Sequence, residues 1–247
     1  MLRSVLMLAA SVFVTAFLSV LAVIFSIFSP SGKQSRRVAR LWARTVLRVT
    51  GTRVKVIGRE NIIKEKPHLF MANHQSDFDI PIVFAAIPVD FLWTVKKELF
   101  SVPVFGRALK KAGYIEIDRN NPAKAMNGLH GAAEKLRSGM SIATFPEGTR
   151  SRDGKLLPFK QGMFYLAIQT GTPIVPLSII GSGKIMAKDS LTIKPGEIAM
   201  VIGKPVDVES YSIENRNDLI EKVRSIIAEN LDAYQRGTVD GAAGVSP

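Results

Sequence analysis

The sequence predicts an α/β fold in which a largely parallel sheet is flanked by helices and is preceded by an N-terminal helical membrane-anchoring hairpin. Two patterns support this architecture. From about residue 53 onward, short apolar runs alternate with longer segments of helical periodicity, which is typical of strands joined by helical crossovers. Before residue 53, an uncharged apolar run is followed by an arginine-rich segment, which is typical of helices at a membrane boundary.

The length and composition of the chain limit the possible folds and sites. Of its 247 residues, 47% are hydrophobic and 22% are charged, which suits one ordinary domain with an appendage. The chain has no cysteine, which excludes disulfides, thiolate metal sites and a cysteine nucleophile. It has only three histidines, His68, His74 and His130, so a multi-histidine metal centre is hard to build. We therefore expect no metal site.

The charge of the chain is basic and is concentrated near the N-terminus. The sequence holds 33 Lys and Arg against 21 Asp and Glu, a net charge of +12. Residues 1–50 contain seven basic residues and no acidic residue, so +7 of the net charge lies there. A basic excess attracts the phosphates of nucleic acid or of an anionic membrane. The adjacent apolar run favours the membrane, and no nucleic-acid partner is expected.

Residues 4–28 form the first predicted element, an apolar run without a charged residue. As a helix this run would measure about 38 Å, enough to cross a hydrocarbon core of about 30 Å. A cleaved signal peptide has a shorter apolar stretch, and burying a helix that is apolar on every side requires a larger protein around it. The run is therefore predicted to enter a membrane, either spanning it or lying in one leaflet.

Residues 34–53 form the second predicted element, a basic amphipathic helix. Four arginines recur at intervals of four residues and form a slowly drifting stripe on one face: Arg36, Arg40, Arg44 and Arg48. With Trp42 on the same helix, this composition is typical of a helix at lipid headgroups. A solvated helix is the alternative, and the neighbouring apolar run favours the membrane. If the first helix spans the bilayer, the positive-inside rule places Lys33 onward in the cytoplasm.

The chain is thus expected to have three parts. Residues 1–52 anchor it at the cytoplasmic face of the cell membrane, residues 53–236 form the globular domain, and residues 237–247 form a disordered tail. Apolar runs predict strands at 54–57, 68–72, 91–95, 114–117, 141–145, 174–179 and 198–202. Helical periodicity predicts helices at 80–86, 104–111, 123–137, 162–169 and 217–234.

Two polar clusters directly follow predicted strands, at residues 73–79 and 146–151. Ligands of such folds bind outside the carboxyl ends of the strands, so these clusters are the candidate site. In the second cluster, Gly148 permits close approach of the backbone, and Arg150 offers a forked donor for a phosphate. Glu147 could orient that arginine or the loop. An ordinary polar turn is the alternative.

The first cluster contains His74 and Asp79, which are five residues apart. On a continuous helix they would point about 140° apart, so they can meet only if the chain turns between them. Ser76 or Asp77 is then the predicted N-cap of the following helix. A carboxylate on one ring nitrogen leaves the other nitrogen free to take a proton, which makes His74 a candidate general base. A histidine that only caps the helix is the alternative.

The chain does not supply the usual nucleophiles for such a base. It has no G-x-S-x-G sequence and no cysteine, so the arrangements of serine and cysteine hydrolases are not indicated. A base without a protein nucleophile would activate a hydroxyl of the substrate, which would then attack an acyl donor directly.

Four blocks of the sequence resemble the glycerolipid acyltransferase family. Residues 73–79 are similar to its H-x-x-x-x-D signature, and residues 145–151, FPEGTRS, to its third signature. Residues 113–119 and 172–176 resemble the second and fourth, so that the resemblance covers about 54–202. The chain is most similar to the bacterial 1-acylglycerol-3-phosphate (lysophosphatidic acid) acyltransferases, in which a bulky apolar residue is common where this chain has Glu116.

This resemblance implies roles for the residues of both clusters. His74 would be the base and Asp79 its partner, while Arg150 and Lys96 would hold the phosphate of the acceptor. Three neighbours would shape the acceptor site: Glu147, Gly148 and Thr149. Weaker candidates are Arg119 and Lys160, and the prolines at 173 and 176 would shape a loop against the acyl chain.

The resemblance also implies the reaction. A fatty acyl group would pass from a thioester of acyl carrier protein or coenzyme A to 1-acylglycerol-3-phosphate, giving phosphatidic acid for phospholipid synthesis. No bound cofactor or metal and no covalent enzyme intermediate would be needed, and the partners would be anionic membrane lipids and the two substrates. The alternatives are an acyltransferase acting on glycerol-3-phosphate or another lysolipid, and a membrane-bound lipid or thioester hydrolase in which His74 activates water.

Overall fold

The structure, a computed structural model, describes residues 2–28, 31–118 and 122–237. Arg119 and most of the predicted tail lie outside these residues.

The α-helices are α1 Leu2–Ile27, α2 Lys33–Val49, α3 Asp79–Ala86, α4 Phe105–Ala112, α5 Pro122–Arg137, α6 Gly162–Thr170, α7 Ser182–Ile185 and α8 Arg216–Gln235. The strands are β1 Thr52–Ile57, β2 Leu69–Ala72, β3 Phe91–Lys96, β4 Ile115–Ile117, β5 Ser141–Thr144, β6 Ile174–Ile180 and β7 Gly196–Ile202. Two short 3-10 helices, Arg59–Asn61 and Lys97–Ser101, complete the elements.

The seven strands form one sheet in the order β1-β7-β6-β2-β5-β3-β4. The pairs from β6 to β4 are all parallel, whereas β7 pairs antiparallel with β6 and parallel with β1. The predicted α/β fold with a largely parallel sheet is therefore confirmed. The two strands that run in the opposite direction were not predicted, because the apolar run of a buried strand does not indicate the direction of its neighbour.

Helices cover both faces of the sheet, and residues of β2 alternate between two apolar cores. Phe70 packs with α3 and with the aromatic side chains of β3 on one face. Leu69 and Met71 pack on the other face, against α5, α6 and α8. The central strand β2 is thus buried on both sides, which fixes its register and the position of the residues that follow it.

Helix α1 leaves most of its apolar side chains uncovered. Its 18-residue apolar window has a mean hydropathy of 2.6, and only 17% of the window is buried. Within the described chain, it is the one helix long and apolar enough to cross a membrane. The large apolar side chains that it exposes are Leu2, Val5, Leu6, Val12, Phe13, Phe17, Val20, Ile24, Phe25 and Ile27.

Helix α2 corrects one prediction, because two arginines of the expected stripe point into the protein. Arg36 is only 5% exposed, and its guanidinium pairs with Asp90 at 2.8 Å and donates to the carbonyl of Ala112 at 2.9 Å. The guanidinium of Arg40 donates to the carbonyls of Ile87 and Val89. Ala112 and Ile87 lie at helix C-termini, where carbonyls have no partner within the helix, so the arginines satisfy them and fix α2 against the domain.

The exposed basic face of α2 has different members: Lys33, Arg37, Arg44 and Arg48. Trp42 was expected at lipid headgroups, but its indole nitrogen donates to Thr15 Oγ1 of α1 at 2.9 Å, and its ring meets the edge of Phe84. The tryptophan therefore joins α1 and α2 to the domain, because its N–H finds a partner between the helices.

His68, which directly precedes β2, is the least satisfied polar residue of the core. It is fully buried, and neither ring nitrogen has a hydrogen-bond partner among the described residues. Burial lowers the pKa of this imidazole below its ordinary value of 6.5, because an apolar environment disfavours the charged form.

Replacing His68 with leucine should make the stability of the fold less dependent on pH. Below about pH 6.5 the unfolded chain binds a proton at His68 that the folded chain does not, so the contribution of this group lowers the free energy of unfolding as the medium becomes more acid. The measurement is urea unfolding in detergent at neutral pH and at about pH 5. The exposed His130→Leu variant is the control and should retain the dependence of the wild type. Equal acid sensitivity of His68→Leu and wild type would contradict this account.

Candidate active site

Two loops lie side by side at the carboxyl edge of the sheet. The histidine loop, residues 73–78, follows β2, and the arginine loop, residues 145–151, follows β5. Since β2 and β5 are paired and parallel, both polar clusters leave the sheet at the same edge, as the sequence predicted.

His74 and Asp79 are in direct contact. The Nδ1 atom of His74 lies 2.8 Å from Oδ2 of Asp79, which is fully buried. The same carboxylate oxygen accepts the backbone N–H groups of Gln75 at 2.7 Å and Ser76 at 2.9 Å. An ionised carboxylate only accepts hydrogen bonds, so the neutral tautomer that fits this contact carries its hydrogen on Nδ1 and has a lone pair on Nε2. The chain turns between the two residues as predicted.

The predicted N-cap is wrong. Helix α3 begins at Asp79 after Phe78, which makes no side-chain cap. The hydroxyl of Ser76 donates to the carbonyl of Met186 at 2.6 Å instead, and it accepts the N–H of Phe78 at 3.2 Å. The Asp79 carboxylate reaches back to the amides of Gln75 and Ser76, so a residue inside the helix and the Ser76 hydroxyl close the turn together.

An aromatic ring supports the imidazole. The rings of His74 and Phe145 stack with centroids 3.7 Å apart and planes 2° apart. The ring of Trp93 meets Phe145 edge-on at 5.0 Å. Stacking and the Asp79 contact together fix both the plane and the rotation of the imidazole. Sequence reasoning missed Phe145, because an aromatic residue at the end of a strand does not indicate which ring it will touch.

Glu147 holds the two loops together. Its side chain is only 3% exposed, and its oxygens accept the N–H of His74 at 2.8 Å and the N–H of Leu157 at 2.9 Å. Burial raises the pKa of this carboxyl to about 7, although both N–H groups oppose the shift. The carboxylate was expected in the acceptor site; it lies behind the loops and does not line the cavity described below.

Other backbone contacts complete this framework. The carbonyl of His74 accepts the N–H of Ser151 at 2.8 Å. The side chain of Asn73 makes two hydrogen bonds to the backbone of Ile179 in β6, at 2.9 and 2.7 Å. The backbone on both sides of the histidine is therefore fixed to neighbouring elements.

The main cavity has a volume of about 760 Å³ and joins a cationic mouth to an apolar interior. Its polar lining, here called the mouth, contains His74, Asp77, Lys96, Gly148, Thr149, Arg150 and Lys160. Its interior runs between α1, α2 and α4 and is lined by apolar side chains that include Leu18, Ala22, Val38, Trp42, Phe84 and Leu109. A ligand that carries both a phosphate and a hydrocarbon chain fits this division of surface.

Two of the three cations at the mouth have carboxylate partners. Arg150 contacts Asp77 at 2.6 Å and Asp189 at 3.4 Å, and Lys96 contacts Glu98 at 3.4 Å. Lys160 forms no ion pair with a carboxylate of the described residues.

The side chain of Lys160 lies against Gly148. A Cβ atom added at Gly148 would come within 2.8 Å of Lys160 Cε. Gly148 has a left-handed φ of +71°, so only glycine suits both the turn and this contact.

Five of the predicted site residues line the mouth of the main cavity: His74, Lys96, Gly148, Thr149 and Arg150. Asp79 and Glu147 do not line it. Glu116 is exposed and lines neither this cavity nor the second cavity described below.

The predicted strand 174–179 is confirmed, because residues from Ile174 onward form β6, in which Pro176 pairs with Met71. Pro176 therefore lies in a strand and not in the loop expected against the acyl chain, and neither it nor Pro173 lines the main cavity.

The sequence of this chain is similar to that of known acyltransferases. A family model described as acyltransferase matches residues 53–180. A 1-acyl-sn-glycerol-3-phosphate acyltransferase from Limnanthes douglasii is 32% identical over 192 residues, 77% of this chain and 68% of the relative. The human 1-acyl-sn-glycerol-3-phosphate acyltransferase alpha is 28% identical over 229 residues, 92% of this chain and 80% of the relative.

A solved structure shares the whole architecture. The crystal structure of the 1-acyl-sn-glycerophosphate (LPA) acyltransferase PlsC from Thermotoga maritima matches with a TM-score of 0.81 and 26% sequence identity. The match covers 99% of each chain, so it includes the two N-terminal helices as well as the sheet.

Replacing Glu147 with glutamine should lower the free energy of unfolding by about 1–3 kcal/mol, because the amide can accept only one of the two buried N–H groups. The loss should be larger at pH 5 than at pH 8. The folded carboxyl holds its proton up to about pH 7 and the unfolded one only to about 4.5, so this group stabilises the wild type at low pH and ceases to do so as the pH rises through 7.

Denaturant unfolding of both proteins at the two pH values measures this difference, with the exposed Glu98→Gln as control. A destabilisation of the same size at both pH values would show that the carboxyl titrates at its ordinary pKa.

Proposed function

Since this chain belongs to the acyltransferase family, we propose that it transfers a fatty acyl group from an acyl thioester to the free hydroxyl of 1-acylglycerol-3-phosphate, giving phosphatidic acid. Family membership confirms the predicted family and enzyme class. The observation that carries the substrate assignment is the main cavity, in which a cationic mouth that contains one histidine with a carboxylate partner joins an apolar interior.

The proposed reaction is a direct transfer. Nε2 of His74 takes the proton of the acceptor hydroxyl while its oxygen attacks the thioester carbonyl, and Asp79 stabilises the imidazolium that forms. When the tetrahedral intermediate collapses, the C–S bond breaks and the imidazolium returns the proton to the leaving thiolate. The attacking group belongs to the substrate, so no covalent enzyme intermediate forms.

The acceptor is proposed to bind with its phosphate at the mouth and its chain in the interior. Arg150 and Lys96 supply two of the predicted phosphate contacts, and Lys160 supplies a third from across Gly148. Charge-assisted hydrogen bonds to phosphate are stronger than neutral ones. The apolar interior favours a lysolipid over glycerol-3-phosphate, because the latter has no chain to fill it.

Membrane attachment is proposed to run through α1 and α2. The exposed apolar side chains of α1 can enter the hydrocarbon region, and the exposed basic face of α2 (Lys33, Arg37, Arg44 and Arg48) can meet anionic headgroups. The same two helices line the main cavity, so a lysolipid can pass from the leaflet to the histidine along apolar surface. The cytoplasmic face of the cell membrane remains the proposed location.

The test of this function is acyl transfer by the purified, detergent-solubilised protein. Labelled acyl thioester and lysophosphatidic acid should give phosphatidic acid, and His74→Ala should lower kcat by at least about 100-fold, since it removes the general base. The variant should still bind anionic vesicles. Release of free fatty acid in excess acceptor would indicate a hydrolase, and turnover only with another acceptor would change the substrate.

Replacing Lys160 with methionine should raise the KM for lysophosphatidic acid about 10-fold or more, because one charge-assisted contact to phosphate is lost. The KM for the donor should stay within about twofold of its original value. Steady-state kinetics with each substrate varied in turn measures both constants. Lys155→Met is the matched control, since Lys155 is exposed and lines neither cavity. An unchanged acceptor KM in the Lys160 variant would remove this residue from the phosphate site.

A further inference from the structure

A second cavity of about 640 Å³ lies on the other side of the histidine loop. Its wall includes Gln75, the segment 151–154, α7 with its flanking residues, and the end of α8. None of its lining residues lines the main cavity. The reaction described so far gives this cavity no role.

The second cavity is adjacent to the catalytic histidine. Gln75 follows His74 in the chain, and Ser151 donates its N–H to the His74 carbonyl at 2.8 Å. The Gln75 side-chain amide donates to the carbonyl of Gly154, another wall residue, at 3.2 Å. At two places, His74–Gln75 and Arg150–Ser151, consecutive residues line the main cavity and the second cavity.

Contacts between charged residues also connect the edges of the main cavity and the second cavity. Arg150, at the mouth of the main cavity, contacts Asp189 at 3.4 Å. The other oxygen of Asp189 contacts Arg152, in the wall of the second cavity, at 3.0 Å. Lys188, another wall residue, donates to the carbonyl of Arg150 at 2.8 Å. The two cavities therefore share one charged border.

The lining of the second cavity suits an anion. Three cations, Arg152, Lys184 and Lys188, face one carboxylate, Asp153. That carboxylate already accepts hydrogen bonds from the Ser151 hydroxyl at 3.0 Å and the Lys155 N–H at 3.1 Å.

Lys184 forms no ion pair with a carboxylate in the part of the chain that the structure describes. Its neighbours in the wall include Gly154, Gly181 and Gly183, which let a ligand approach the backbone closely.

The proposed reaction has two phosphate-bearing substrates, and their geometry separates the two phosphates. In 1-acylglycerol-3-phosphate, the free hydroxyl and the phosphate lie on adjacent carbons, so this phosphate must bind beside His74, at the mouth of the main cavity. In the donor, a pantetheine arm separates the reacting sulfur from its phosphate. The donor phosphate must therefore bind outside the mouth of the main cavity, at a second site from which the arm can reach the histidine.

We propose that the second cavity binds the phosphate of the 4′-phosphopantetheine arm of the acyl thioester donor. This inference rests on the proposed function and extends it to the donor. The same phosphate occurs in coenzyme A and in acyl carrier protein, so one site serves either donor. Lys184 and Arg152 contact the phosphate, and the arm passes Gln75 to bring the thioester to His74.

The test compares Lys184→Glu with wild type in steady-state kinetics with three donors: acyl-coenzyme A, acyl-acyl carrier protein and acyl-pantetheine, which lacks the phosphate. The KM of both phosphate-bearing donors should rise about 10-fold or more, since an attraction becomes a repulsion. The KM of acyl-pantetheine and that of lysophosphatidic acid should not change. Lys204→Glu, an exposed charge reversal outside both cavities, is the matched control.

A second variant fills the cavity without changing its charge. A Cβ atom at Gly183 would meet the Gln75 side chain only at ordinary contact distances of 3.6 and 3.9 Å, so Gly183→Leu can place its side chain in the cavity. It should raise the KM of both phosphate-bearing donors, and an unchanged kcat with acyl-pantetheine would show that the histidine loop is intact.

The possible results distinguish failure of the proposed donor-phosphate site from failure of the proposed acyltransferase function. A rise confined to acyl-coenzyme A would assign the cavity to the nucleotide, and a rise confined to the carrier protein would assign it to the protein surface; both overturn the proposal. A higher KM for lysophosphatidic acid, or unchanged constants in both variants, would also overturn it while leaving the acyltransferase function in place. Absence of transfer by the wild type with every donor would overturn the proposed function itself.

Discussion

Two buried carboxylates fix the histidine loop, and the geometry of the site depends on that loop. Asp79 accepts three hydrogen bonds on one oxygen, from the His74 ring and from two backbone amides. Glu147 accepts the backbone N–H of His74 and connects it to Leu157. An unpaired buried N–H costs about 1–3 kcal/mol, so each carboxylate opposes local opening of the loop. The imidazole is thereby oriented before a substrate binds, as general-base catalysis requires.

The N-terminal helices are part of the site as well as of the proposed membrane anchor. Arg36 and Arg40 bind carbonyls and a carboxylate of the domain, and Trp42 lines the main cavity. A hairpin that was only tethered to the domain would leave this cavity open to water on one side. Because residues of both helices line the cavity, the hairpin provides part of the apolar surface that an acyl chain needs next to the histidine.

The sequence allowed the fold class, the strands and the meeting of His74 with Asp79 to be predicted, because hydrophobic periodicity and the turn between the two residues have local signals. It did not allow the direction of β7, the stacking of Phe145 or the position of Glu147 to be predicted, since each depends on which distant element packs there. The arginine stripe of α2 shows the limit most clearly. Periodicity places Arg36 and Arg44 on a similar face, but only the fold shows that backbone carbonyls take Arg36 while Arg44 remains exposed.

In the proposed reaction, placement of the two substrates decides between transfer and hydrolysis. Water can attack any thioester that reaches His74, so the acceptor hydroxyl must have an advantage in proximity. Its phosphate, held at the mouth by Arg150, Lys96 and Lys160, puts the adjacent hydroxyl next to the base, and effective concentrations from such placement can exceed that of water by orders of magnitude. The acceptor also fills the cationic mouth, and the His74 side chain is only 12% exposed even without it. Binding of the lysolipid therefore both supplies the nucleophile and restricts access of its competitor.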